Sequence, residues 1–239
     1  MLLQTYSQIY NKAVAEMDLG QEPFLQTDEM LGYMNEAIDN AETCIHTLGA
    51  EDAYFLTPGT ITLVNGTQDY AFPTDIYATK LRKVFYVNGS TRYPIPRLRR
   101  LESAFYSQAG DLYSYLIINS SISGATGGMK MRFYPIPAES GAYISIFYIR
   151  NMRRLTSSLV DADNVCEVPE CVNFIHQHLR WNIARKMRRA DLMATEKEAL
   201  VEQYNLMAAT LKEMVPDDNN QVLQDWSAYT SQDLDYYYP

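Results

Sequence analysis

Between Pro169 and Met214 apolar residues recur at steps of three and four, a spacing that only a helix gathers onto one side. Val172, Ile175, Leu179, Ile183 and Met187 form the first stripe, and Pro169 stands in the first turn, where its missing N–H has no intrahelical partner to lose. Arg180, Arg185, Lys186, Arg188 and Arg189 fall on the opposite face and at the far end. There the partial negative charge of the helix terminus favours a cation by roughly 0.3–1 kcal/mol. Thr195-Glu196-Lys197-Glu198 then has the form of a capping box, and Leu200, Tyr204, Met207, Leu211 and Met214 continue a second seam. The spacing predicts helices over residues 169–189 and 196–214, folded as an antiparallel hairpin with its turn near Ala190–Ala194.

Two further helices are predicted at the N-terminal end. Leu3, Tyr6, Ile9, Tyr10, Ala13 and Met17 line one side of residues 2–17, before Gly20 and Pro23 stop the pattern. Asp28 and Glu29 suit the positive first turn of a helix over residues 28–47, whose stripe is Met30, Leu31, Met34, Ala37, Ile38, Ala41 and Ile45. From Tyr54 the period changes to two. Residues 60–64 and 68–72 flank Asn65-Gly66, the strongest short hairpin signal, and Asn88-Gly89 marks another turn after a strand over residues 80–87. Tyr113–Ile118, Met129–Tyr134 and Ala142–Ile149 complete the strands, while residues 120–128 are rich enough in Ser, Gly and Thr for a loop or hairpin tip. Helices segregated from strands in this order indicate an α+β fold with an antiparallel sheet, not a doubly wound α/β one.

The chain of 239 residues carries a net charge of −9, so as a whole it does not have the composition of a nucleic-acid-binding protein. Residues 217–239 hold Asp217, Asp218, Asp225, Asp233 and Asp235 without a Lys or Arg, which leaves −4 for residues 1–216. The same tail is punctuated by Trp226, Tyr229, Tyr236, Tyr237 and Tyr238. Too little aliphatic content is present for a core, so one reading is a disordered end. The other is an arm that orders on a partner or a neighbouring copy, because large aromatics are favoured anchors at interfaces. No apolar run approaches the ~18 residues of a membrane span. Three cysteines and an N-terminus without a signal-peptide pattern lead to the expectation of synthesis in a reducing cytoplasm.

Several constellations have the residue types of a chemical site. Cys166, Cys171, His176 and His178 are potential zinc ligands, yet histidines two apart on a helix point to nearly opposite sides, and no Cys-x-x-Cys is present. Asp161-Ala162-Asp163-Asn164 lacks the glycine and closing glutamate of a calcium loop. Gly124-Ala125-Thr126-Gly127-Gly128 lacks the lysine of a phosphate loop, and no Gly-x-Ser-x-Gly elbow occurs. No catalytic residue, metal or cofactor is therefore assigned. Two basic patches remain, Arg97 with Arg99 and Arg100, and Arg180 to Arg189. They suit solvent and helix-terminus roles first, then the acidic surface of another subunit, and last a DNA backbone.

Met34-Asn35-Glu36-Ala37, then residues 66–75 (Gly-Thr-Gln-Asp-Tyr-Ala-Phe-Pro-Thr-Asp), Arg132-Phe133-Tyr134-Pro135-Ile136-Pro137, residues 142–150 and Val168-Pro169-Glu170 follow one another in a fixed order. In that order the chain resembles, over roughly residues 25–215, the head-to-tail adaptor proteins of short-tailed bacteriophages, the connector or tail-tubular proteins. The resemblance implies a helical bundle, here of four helices, with an inserted β-rich region over residues 54–150, together an adaptor domain of residues 1–216 followed by the tail. It implies a virion protein assembled as a homo-oligomeric ring, usually a dodecamer, around the DNA channel. The portal protein would lie on one side and the tail nozzle or a tail fibre protein on the other. DNA would pass through without sequence-specific binding, and no membrane is involved. In such proteins the C-terminal segment often grips the portal or a neighbour, which gives the aromatic tail a role. No catalytic residues are shared by the family. The alternatives are a phage-entry hydrolase using acids such as Asp161 or Glu170, and a DNA-contacting neck module using Arg180 to Arg189.

Overall fold

In the computed structural model, which describes residues 4–17, 27–98, 113–119, 128–138, 140–156 and 165–213, the first helix starts at a reciprocal cap. Thr5 Oγ1 accepts the Gln8 N–H and Gln8 Oε1 accepts the Thr5 N–H, so two otherwise orphaned donors are satisfied and α1 runs Tyr6–Glu16. Helix α2 (Thr27–Leu48) carries Asp28 and Glu29 in its first turn. The chain belongs to the α+β class: among the described residues a short α3 (Glu51–Phe55) leads into seven strands, followed by α4 (Val172–Met187) and α5 (Ala190–Glu213). Contacts divide it into two units, Met1–Ala53 with Arg153–Pro239, and Tyr54–Met152.

In the helical unit α4 packs against α1, α2 and α5, and α5 also meets α2. The core is drawn from the expected stripes: Tyr6, Ile9 and Ala13 of α1, Met34, Ile38, Ala41 and Ile45 of α2, Ile175, Leu179 and Ile183 of α4, and Met207 and Leu211 of α5. Each large aliphatic among them is worth about 1.5–3 kcal/mol of burial. The returning segment is pinned by Asn35, which donates to the Leu155 carbonyl and accepts the Leu155 N–H, both at 2.9 Å.

Two expectations about the C-terminal helices are corrected. Pro169 opens a short 3₁₀ turn, Pro169–Cys171, and the α-helix proper begins at Val172. The break between α4 and α5 is two residues, Arg188 and Arg189, the first in the left-handed conformation at φ 55°. Helix α5 therefore starts at Ala190, the Met193 N–H already closing onto the Arg189 carbonyl. Thr195 lies inside α5 and donates its hydroxyl to the Asp191 carbonyl, so it caps nothing. Asp191, in the first turn and ion-paired to Arg189 at 2.9 Å, lies at the true start.

Among the described residues the β unit contains two antiparallel sheets. Strands β1 (Leu56–Thr62), β7 (Tyr143–Arg150), β3 (Ile76–Asn88) and β4 (Thr91–Pro94) form one in that order, and β2 (Asp69–Ala71), β6 (Met129–Tyr134) and β5 (Ser114–Asn119) form the other. Ile144, Ile146, Tyr148 and Val84 of the first sheet share a core with Tyr70, Met131, Phe133 and Tyr115 of the second, the alternation a half-buried strand requires. Asn65-Gly66 does not close a hairpin. The strands on either side of it enter different sheets, β1 pairing with β7 and β2 with β6. A side chain holds that corner: the Tyr70 hydroxyl accepts the Val64 N–H at 2.9 Å and donates to the Thr67 carbonyl at 3.0 Å. Gly89 does make a hairpin, at φ 60° in the first of the two residues between the paired Asn88 and Thr91, where a type II′ turn calls for glycine. Strand β3 is irregular near its start, with Ala78 and Thr79 at positive φ and its register against β7 slipping between Ile76 and Lys83.

Candidate interaction surfaces

The cations expected to form a basic face on α4 are largely neutralised within the helical unit. Arg180 Nη1 reaches Glu16 Oε2 at 2.8 Å and Nη2 reaches Glu196 Oε1 at 2.7 Å, joining α1, α4 and α5. Glu196 is buried and also accepts from Gln177. Lys186 pairs with Glu29 of α2. Arg185 lies 4.9 Å from the Trp181 ring centroid and 3.9 Å from Glu36. Arg189 holds Asp191, whose carboxyl is kept below the usual carboxylate range chiefly by that hydrogen bond. Arg188 is exposed and makes no ion pair among the described residues. Of the five predicted residues, then, Arg180 and Lys186 act as internal ties, and Arg185, Arg188 and Arg189 present charge outward.

The Cys–His cluster resolves into packing. His176 lies 3.4 Å from Glu16, whereas His178 contacts Asn40 at 3.0 Å and Asn182 at 3.2 Å, so the two rings serve different neighbours. Burial lowers both imidazole pKa values from 6.5, with Glu16 opposing at His176 and Glu36 opposing at His178. Cys44, Cys166 and Cys171 are free and buried. Burial raises all three thiols, Cys166 to about 11, which keeps them protonated and unreactive at neutral pH. Among the described residues no group of three or more His, Cys, Asp or Glu is placed to hold a metal ion. Asp161 and Asp163, Arg99 and Arg100, most of the residue 120–128 loop, and the tail aromatics Trp226, Tyr229, Tyr236, Tyr237 and Tyr238 lie outside the described residues.

The β unit carries two surface features that strand periodicity alone did not reveal. One is a groove of about 820 Å³ lined by Asp69, Phe72, Pro73, Thr79, Met129 and Lys130 among others. Beside it Arg132 clasps Asp69 through two bonds of 2.6 and 2.7 Å, holding the Asp69 carboxyl below its ordinary range. The other is the outward face of the four-stranded sheet, where Phe85 and Phe147 meet edge to face at 6.2 Å with Lys83 opposite Phe147 in register. Their pairing across β3 and β7 follows from the two-sheet topology, and a signal was present in the sequence only as the odd-numbered residues of both strands.

No helix among the described residues is long and apolar enough to cross a membrane. No curated protein matches the chain. The family model of the SU10 adaptor protein matches residues 4–232, through both units and into the aromatic tail. In keeping with the resemblance to phage head-to-tail adaptors that its motif order carries, the chain belongs to the SU10 adaptor protein family.

Proposed function

We propose that copies of this structural phage adaptor assemble into a ring, a dodecamer in the usual manner of head-to-tail adaptors, that joins the portal at the capsid vertex to the tail nozzle or fibre proteins and lines the DNA exit channel. The observation that carries this reading is the family match over residues 4–232. The helices α1, α2, α4 and α5 act as a four-helix bundle that presents the subunit and portal contacts. Its internal ion pairs, Arg180 to Glu16 and Glu196 and Lys186 to Glu29, support such a role by tying the helices to one another. Arg185, Arg188 and Arg189, the outward-facing cations of this stretch, form the basic part of the interface, with Arg188 making no ion pair among the described residues. Trp226, Tyr229, Tyr236, Tyr237 and Tyr238 supply anchors to the portal or to a neighbouring subunit. DNA passes without sequence-specific binding, as the net charge of −9 suits a channel that must not retain its cargo. The protein works in the virion neck after assembly in the host cytoplasm.

Negative-stain electron microscopy of the purified protein, alone and with portal, tests this directly. Rings that cap the portal are expected. Deleting residues 217–239 should leave the melting temperature of the remainder within a few degrees while weakening portal attachment. A protein that stays monomeric with portal present overturns the reading.

A further inference from the structure

Charge is divided unequally along this chain. Residues 54–152, the β unit, contain ten Lys or Arg against five Asp or Glu, a net +5, so the rest of the chain holds −14 of the total −9. The tail contributes five aspartates to that excess and no cation, together with one tryptophan and four of its tyrosines at 229 and 236–238. An acidic aromatic segment and a cationic unit thus occur in the same molecule, and the β unit has a surface with matching chemistry.

That surface is the outward side of the four-stranded sheet. Val84, Ile144, Ile146 and Tyr148 point into the sandwich core, so the alternate residues point away from it. Register places Lys83 opposite Phe147, Phe85 opposite Ser145 and Pro94, and Val87 opposite Tyr143 and Arg92. The half-buried rings of Phe85, Phe147 and Tyr143 form the middle, with exposed Pro58, Thr60 and Thr62 of β1 on one side and exposed Lys83, Arg92 and Pro94 on the other. Lys83 and Arg92 make no ion pair among the described residues. An aromatic centre with cations at its rim that make no ion pair among the described residues accepts a segment that brings its own rings and carboxylates.

We propose that this face, centred on Phe85 and Phe147, is the seat for residues 217–239 of a second copy of the chain. Tyrosines of the tail pack on the aromatic centre, and its aspartates face Lys83 and Arg92. Residues 214–239, which follow α5, span at most about 85 Å if fully extended. Duplex DNA fits the face less well, since paired bases offer no ring to stack on Phe85 and two cations engage few phosphates. The proposal rests on the ring reading only in requiring that copies meet.

The test uses the full chain. Tyr237 is replaced by the photo-crosslinker p-benzoylphenylalanine, heavy- and light-isotope preparations are mixed and assembled, and the cross-linked peptides are mapped after illumination. Heavy-to-light cross-links into residues 83–94 or 143–147 are expected. The Lys83→Glu/Arg92→Glu variant should lower their yield by about fivefold or more, and the Lys83→Arg/Arg92→Lys variant should retain it. Cross-links confined to one copy, cross-links onto the helices, or a yield indifferent to both variants overturn the proposal. So does a single-stranded oligonucleotide that displaces the tail at physiological salt, which would assign the face to nucleic acid. Rings without these cross-links reject this inference and leave the ring reading intact, whereas cross-links without rings do the reverse.

Discussion

Arg180 of α4 donates to the buried carboxylate of Glu196 in α5 at 2.7 Å, and the same guanidinium reaches Glu16 of α1 at 2.8 Å. A cation that sequence periodicity places on an outer face is therefore a cross-brace of three helices. Removing it leaves Glu196, among the described residues, with the Gln177 amide as its remaining side-chain hydrogen-bond partner. We expect Arg180→Ala to destabilise the protein by about 2–3 kcal/mol, below the value for a fully buried pair because Arg180 is partly solvated. A urea midpoint that falls with an unchanged slope reports this. An unchanged midpoint would return Arg180 to the surface.

Gly59 is paired opposite Ile146 on the edge strand β1, facing the sandwich core. A Cβ there would lie 3.0 Å from Tyr148 Cε1 and 3.1 Å from Ile146 Cγ1, closer than ordinary contacts. Alanine is favoured over glycine in a strand by roughly 0.5–1 kcal/mol, so the two effects oppose. Crowding two rigidly packed neighbours costs about 1–3 kcal/mol, and we expect Gly59→Ala to lower the melting temperature. A rise would mean that Tyr148 moves aside freely.

These two positions also mark what could be read in advance. The helical stripes were legible because burial follows period 3.6 directly: Met34, Ile38, Ala41 and Ile45 are all inside. Ile144, Ile146 and Tyr148 were legible for the same reason at period two. The corner at Asn65-Gly66 was not, because turn residues fix a local bend but not the partner of the next strand, and a tyrosine six residues away from Val64 decides it. The capping box at Thr195 was a correct local pattern overruled by Asp191 and Arg189 earlier in the chain, while the equivalent pattern at Thr5 and Gln8 is the one the fold uses. Ion pairs such as Arg180 with Glu16 join residues far apart in sequence, and no periodicity carries that information. The motif order identified the family where individual motifs were too short to do so.

The three thiols give an independent check on the helical core. Cys44, Cys166 and Cys171 are all buried, and burial holds their pKa values up. Native protein at pH 8 should be silent toward a chromogenic disulfide reagent, and all three cysteines should react only in denaturant. Because access requires opening of the core, the labelling rate in dilute denaturant should track unfolding. Rapid native labelling of one thiol would show that its part of the core opens locally.

The last expectation concerns pH. His176 and His178 have imidazole pKa values lowered from 6.5, first by burial. Glu16, Lys12, Arg180 and Glu196 surround the first ring, and Glu36 and Arg185 the second. Below 6.5 the unfolded chain takes up protons that the folded chain resists, so stability is fully present above 6.5 and is lost as pH falls toward the depressed folded values. Each histidine contributes a slope of at most about 1.4 kcal/mol per pH unit in that window. The contribution of Asp69, held below its ordinary 3.8 by the Arg132 hydrogen bond, is lost only as pH falls below that value. Denaturation midpoints measured between pH 7.5 and 5 should therefore decline from about pH 6.5 downward. A His176→Gln/His178→Gln variant should start less stable at pH 7.5, having lost the Asn40 and Asn182 contacts, but show a flatter profile. Equal slopes in the two proteins would place the acid sensitivity outside these two rings.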